Sequence, residues 1–249
     1  ILNMGKNLLS AFTIDPIRGG LREYELQIAS TQTIMANTGR SVKEVNAELD
    51  KLNKYADKTI YNFATMTHNA GMFTAAGLGL EDTTMALRGI GDWAAYAGAN
   101  TTDMGRVTYQ LGQALSAGSI RLRDWMSVEN SAGMAGKKYK EAFIQTAREQ
   151  GIAVDDMIKK NGSFRESLQE GWLTTDIFMK TMQKFTTDGA KRYTEEMMRA
   201  GKMTRKEANA IISEARKMED AATKVKTFTD LVGTTREALE SGWGTTWRT

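Results

Sequence analysis

Apolar residues recur at three- and four-residue steps through most of this chain, and nowhere does a two-residue alternation of Val, Ile, Thr and aromatics persist for the length of a strand. A helix turns every 3.6 residues and a strand alternates every two, so the pattern restricts the chain to packed amphipathic helices. Val42, Val45, Leu49, Leu52 and Ala56 define one buried face, and Ser41 with Glu44 supplies a capping box ahead of it. Phe63, Met66, Ala70 and Phe73 form the next stripe, Ala86, Ile90, Trp93 and Ala97 a third, and Met104, Val107, Leu111 and Leu115 a fourth. Gly77-Leu78-Gly79, Gly98-Ala99-Asn100 and Gly118 separate them. Each segment needs its neighbours to bury its apolar face. The fold class is therefore all-α, with no significant sheet: a compact multi-helix domain followed by longer amphipathic helices. The expected divisions are a helical lead-in over 1–40, the compact domain over 41–190 and a helical extension over 191–249.

In the extension, Ala208, Ile211, Ala215, Met218, Ala222 and Val225 keep the spacing of a coiled-coil seam between Thr204 and Val225. A coiled coil asks for three to four heptads or more, so the run reads as a long amphipathic helix lying on its neighbours. Beyond it Gly233 punctuates the chain, and Thr234 with Glu237 offers a capping box for a short helix from Thr235 to Glu240. A recurring corner organises the segments. Gly118-Ser119-Ile120, Gly171-Trp172-Leu173 and Gly201-Lys202-Met203 each place an apolar residue two after a glycine, with an acid further on in Asp124, Asp176 and Glu207. The glycine suits a left-handed helix end, the apolar residue packs back, and the acid suits the next helix's first turn. Unequal spacing between the three makes this a corner and not a solenoid repeat.

Chemistry is scarce. There is no Cys and one His, so a Cys–His pair is excluded and any triad or metal site would rest on His68 alone. His68 falls opposite the Phe63–Phe73 stripe, on the expected surface. Gly77-Leu78-Gly79-Leu80-Glu81 lacks the Lys-Ser/Thr of a phosphate loop and has no strand ahead of it. Carboxylate pairs such as Asp124 and Glu129 arise freely among 30 acidic residues, and nothing selects one for glycoside cleavage. The expectation is no catalytic, cofactor or metal residue. A net charge of +3 and a pI near 8.9 invite a nucleic-acid reading. The basic doublets Arg121 and Arg123, Lys159 and Lys160, and Arg205 and Lys206 are scattered beside acids, however, and not gathered in a phosphate track. No apolar run reaches the roughly 18 residues of a membrane span. The start at Ile1 without a Met or a signal-peptide pattern, and the end at Thr249 without a closing cap, read as a segment of a longer chain.

The tryptophans are the candidate partner surface. Trp93 shares a stripe with Ile90 and Ala97, and Trp125 comes just after a corner, so both read as core. Trp172 and Trp243 each sit beside a glycine and Trp247 three residues after one, near a helix end, where an exposed indole anchors another chain. Core burial is the stronger reading for Trp172, whereas Trp243 and Trp247 are open between the two.

Several blocks in order carry a family likeness: Asp15-Pro16-Ile17, Gly20-Leu21-Arg22-Glu23-Tyr24-Glu25, Leu52 to Phe63, Gly91-Asp92-Trp93-Ala94-Ala95, Tyr109 to Leu115, Ser116 to Trp125, and Ala238-Leu239-Glu240-Ser241-Gly242-Trp243. Together they resemble bacteriophage tail tape measure proteins, in their folded N-terminal region and especially from long-tailed phages of Gram-positive hosts. That resemblance implies a structural virion protein that sits in the tail, helps set tail length, and takes part in tail assembly and genome ejection. It implies as partners the tail tube and tail-tip proteins (distal tail or baseplate hub), tail assembly chaperones and further copies of the chain, with assembly in the host cytoplasm. On this reading the stretch is a folded module and not the measuring rod. The rival readings are a prophage helical adaptor or DNA-binding module, which the basic pI favours, and a muralytic tail enzyme.

Overall fold

The computed structural model describes residues 28–132 and 135–224, with side chains assigned outside 131–139. Helices succeed one another almost without interruption. They are α1 (28–38), α2 (Val42–Lys58), α3 (Phe63–Ala75), α4 (Leu80–Tyr96), α5 (Thr101–Ser116) and α6 (Leu122–Ala132). Then come α7 (Ala135–Glu149), α8 (Val154–Asn161), the short α9 (Phe164–Ser167) running into a 3-10 turn, α10 (Thr175–Gln183), α11 (Thr187–Arg199) and α12 (205–224). Among the described residues there is no strand, as the periodicity requires.

The stripes read from sequence face inward. Val45, Leu49 and Leu52, then Met66, Ala70 and Phe73, then Ala86, Ile90 and Trp93, then Met104, Val107, Leu111 and Leu115 are all buried. The Ser41 side chain accepts from the Glu44 amide while the Glu44 carboxylate accepts from the Ser41 amide, completing the capping box. One more box, not expected from sequence, starts α12 (Thr204 with Glu207), and at the start of α9 the Ser163 side chain accepts from the Glu166 amide. The capping box expected at Thr234 and the helix after it lie outside the described residues.

Helix α4 is buried almost all round, since it packs against α2, α3, α5 and α10. A helix in that position must be apolar or small on every face. It meets α10 through Gly89, where an added Cβ would lie 2.5 Å from the Met182 carbonyl oxygen. Helix α10 in turn packs on α7 and α11. An unbroken run of rings crosses the core: Phe73 to Phe178, Phe178 to Phe143, Phe143 to Trp125, Trp125 to Phe164 and Phe164 to Trp172, with centroids 5.0–6.3 Å apart. Edge-to-face and offset geometries of this kind add to the apolar burial of each ring. Ile34 of α1 and Met218 of α12 belong to the same core cluster as these helices.

The three glycine corners take the left-handed conformation, with φ of +80° at Gly118, +73° at Gly171 and +68° at Gly201. The apolar residues after the first two, Ile120 and Leu173, are wholly buried. Those two corners also hold each other. The Ile120 amide donates to the Leu173 carbonyl at 2.9 Å, the Thr175 amide to the Gly118 carbonyl at 3.3 Å, and Ser119 with Thr174 forms an isolated antiparallel bridge. A motif that reads as three copies of one corner is, in space, a joined pair and a separate third.

Helix α12 lies on the body through Ala208, Ala215, Met218 and Ala222, all buried. The amphipathic-helix reading therefore holds over a coiled-coil seam. Val225 lies outside the described residues.

Candidate partner surface

The space beneath α12 is a groove of about 560 Å³. Its floor is built by the end of α4, where Trp93 stacks on Phe185 with centroids 6.5 Å apart. Its walls are the face of α7 at Glu141, Ala142 and Gln145 and the inner face of α12 at Ile211, Glu214 and Met218, while Met203 closes the end near the Gly201 corner. The volume falls in the range of ligand clefts. No group of His, Cys, Asp or Glu among the described residues has the arrangement to hold a metal ion. What lines this groove is mainly apolar surface with glutamates and the two lysines Lys184 and Lys202 among it, which suits packing.

Beside the groove, a buried polar network ties α7 to the α10–α11 link. Lys184 Nζ donates to Glu149 Oε2 at 2.7 Å, and the Tyr193 hydroxyl donates to the same oxygen at 2.7 Å. Burial pushes the Lys184 ammonium below its ordinary value, with Glu149 opposing the shift. Burial and then Glu149 push the Tyr193 phenol up. Removing either partner would strand a desolvated charge, so the pair acts as a specific staple. Gln150 and Lys180 extend it: Gln150 Nε2 donates to the Tyr193 hydroxyl at 3.3 Å and Lys180 Nζ to Gln150 Oε1 at 2.8 Å.

A second network has no counterpart among the sequence expectations. Asp92, in α4, is fully buried, and its Oδ1 accepts from the Tyr55 hydroxyl at 2.9 Å. Tyr61 donates to the Gly91 carbonyl at 3.0 Å, and the two tyrosine rings lie nearly parallel, with centroids 6.3 Å apart. Gly91 makes this possible, because a Cβ there would collide with the Tyr55 hydroxyl. Burial drives the Asp92 carboxyl up to about 8, against the Tyr55 hydrogen bond, which favours the ionised form. Neighbouring Arg88 forms a bidentate pair with Asp188 at 2.8 and 3.1 Å, linking α4 to α11.

The structure separates the sequence candidates. Trp172 is 4% exposed, its indole donates to Ser167 at 3.1 Å and its ring meets Phe164 edge-on. That is a core position, so Trp172 leaves the candidate partner surface: the left-handed Gly171 turns the chain inward at this corner. Trp243 and Trp247 lie outside the described residues. Trp93 and Trp125 are buried as their positions implied, and His68 is exposed. Asp124 and Glu129 are engaged structurally, Asp124 accepting from the Arg121 amide at 3.1 Å and Glu129 pairing with Arg165 at 2.6 Å. Basic residues are likewise taken up in short pairs such as Arg148–Asp155 and Lys160–Glu170. No helix among the described residues is long and apolar enough to cross a membrane. Asp92 escapes a sequence reading because a lone Asp on a helix looks solvated. The clue is its setting, with Gly89 and Gly91 just before it and Trp93 just after.

A family model for tape measure proteins matches residues 21–198, about seven tenths of the chain. No curated protein and no solved structure matches.

Proposed function

Because this chain belongs to the tape measure protein family, whose members are structural proteins of phage tails, we propose that it is a folded segment of the tail's tape measure, helping to set tail length and taking part in tail assembly and genome ejection. The observation that carries the reading is the match itself. It runs from ahead of α1 to the end of α11 and so takes in the helices that build the aromatic core. The chemistry of the groove agrees with a packing role. The partners of this segment are the tail tube and tail-tip proteins, tail assembly chaperones and further copies of the chain, and it is assembled into the tail in the host cytoplasm. The parent phage is long-tailed and infects a Gram-positive host.

The test is cryo-electron microscopy of source-phage particles before and after DNA ejection, with mass spectrometry of the particles to find this chain. Helical density in the tail that departs on ejection supports the reading. Absence of the chain from purified particles overturns it. Shortening the helical region of the parent gene that adjoins this segment should shorten the tail in proportion, and an unchanged tail would refute the length-setting part.

A further inference from the structure

Helix α3 carries an asparagine where its pattern asks for an apolar residue. Asn69 falls three residues after Met66 and four before Phe73, on the stripe that faces the core, and it is 5% exposed. Buried polar side chains nearly always find a hydrogen-bond partner. Among the described residues the Asn69 carboxamide has none. Asn46 Oδ1, Thr83 Oγ1 and Trp125 Nε1 also lack partners, but those atoms are sealed in closed packing, whereas both polar atoms of Asn69 keep a little open surface. That surface gives onto a pocket.

The pocket has a volume of about 310 Å³ and lies between α3, the link that leads into it and the start of α5. Tyr61, Met66, Asn69 and Met104 make its buried floor, and Thr65, Thr101 and Thr102 its exposed rim. Asn100 caps α5: its side chain accepts from the Asp103 amide at 2.9 Å and its carbonyl from the Met104 amide at 3.0 Å. The Thr101 and Thr102 amides of the first turn are left as donors at the rim. No charged side chain among the described residues lines the pocket, so an ion buried in it would go uncompensated. The Tyr61 hydroxyl is already spent on the Gly91 carbonyl. What remains on offer is a carboxamide at depth, donor and acceptor together, with further donors above it. A neutral amide answers this, its carbonyl accepting from Asn69 Nδ2 and its N–H donating to Asn69 Oδ1. A volume at the lower end of ligand clefts holds one side chain and not an oligosaccharide or a nucleotide. Two methionines in the floor adapt to what enters.

We propose that this pocket receives the side-chain amide of a glutamine or asparagine from a partner polypeptide, with Asn69 as the residue that recognises it. The site is separate from the groove beneath α12, and the proposal does not depend on the role in the tail.

Nuclear magnetic resonance of the isotope-labelled full chain, titrated with N-acetyl-glutamine methylamide, tests this. The Asn69 side-chain NH2 signals and the Thr101 and Thr102 backbone amides should shift together and saturate. The glutamate and leucine analogues of the probe should bind about tenfold more weakly or worse, the worth of roughly one net hydrogen bond. Asn69→Leu, similar in size, should abolish the saturable shifts at Thr101 and Thr102 without loss of stability, because it removes an unpaired buried polar group. Should Asn69→Leu fail to fold, Gly105→Leu decides. Gly105 lines the pocket and a Cβ there meets nothing within 4 Å, so the leucine fills the space from α5, leaves Asn69 in place and should block binding. Absence of saturable shifts, equal binding of the leucine analogue, or binding that survives either variant overturns the proposal. Tighter binding of N-acetylglucosamine, which carries the same amide on a sugar, overturns the polypeptide as its source.

Discussion

Gly89→Ala offers the sharpest test of how the core is assembled. A Cβ at Gly89 would stand 2.5 Å from the Met182 carbonyl oxygen, 3.2 Å from its carbonyl carbon and 3.4 Å from its Cα. Every obstacle is backbone, so no rotamer change relieves the contact, and α4 and α10 must separate by about 0.9 Å to restore ordinary van der Waals distance. A gap of that size forfeits a quarter to a half of the dispersion attraction across the seam. Overpacking of well-packed cores costs about 1–3 kcal/mol, and an obstacle made of backbone belongs at the upper end. Replacing glycine in a helix interior returns about 1 kcal/mol in propensity. The net expectation is a loss of about 2 kcal/mol. Gly105 in α5 is the matched control, because nothing lies within 4 Å of its added Cβ. There the propensity gain stands alone, and Gly105→Ala should stabilise by up to about 1 kcal/mol. Urea unfolding monitored by far-ultraviolet circular dichroism reads both variants as shifts in midpoint at constant slope. If Gly89→Ala is as stabilising as Gly105→Ala, then α4 and α10 do not cross at this residue and the central packing is wrong.

Trp93→Ala should cost about 3–5 kcal/mol in the same assay, because the indole is 1% exposed and stacked on Phe185; a loss near zero would mean the face of α4 has been misassigned. The Asp92 carboxyl rises from 3.8 to about 8 on folding, so the folded chain keeps a proton that the unfolded chain releases. Its contribution to stability is therefore complete below about pH 4 and declines as pH rises toward about 8, at about 1.4 kcal/mol per pH unit in mid-window. The stability of Asp92→Asn relative to the unsubstituted chain should grow with that slope between about pH 5 and 7, and a constant difference would refute the assignment. His68→Ala should leave stability within ~0.5 kcal/mol, as exposed positions do, and tail incorporation unchanged in infected cells.

The helices were legible because a 3.6-residue period survives whatever a helix packs against: Val45, Leu49 and Leu52 needed no knowledge of their neighbours to be placed inside. The corners were legible for a similar reason, since Gly118, Gly171 and Gly201 act on the chain within a few residues of themselves. Pairing between two of those corners was not legible, because the Ile120–Leu173 hydrogen bond joins residues that sequence separates widely and no local pattern encodes the partner. Asp92 shows the same limit from the other side. Its burial is decided by Tyr55 and Tyr61 arriving over Gly91, and each of these residues taken singly suggests something ordinary. The groove beneath α12 belongs to the same class, being made by several elements that no local pattern brings together. For Trp172 core burial was already the stronger reading from its corner, and what the sequence did not carry is its partner, the Ser167 hydroxyl that accepts from the indole.

The joined corners at Ser119 and Thr174 have a meaning for distance. Residues 120–173 leave that point and return to it, so while the bridge holds they add nothing to the span between the helices on either side of the loop they close. Opened and drawn out, the same residues at about 3.3 Å each would cover roughly 180 Å. The main-chain hydrogen bonds between the two turns, together with the ring packing of Phe143 on Phe178, thus hold more than a fifth of this sequence as bulk and not as length.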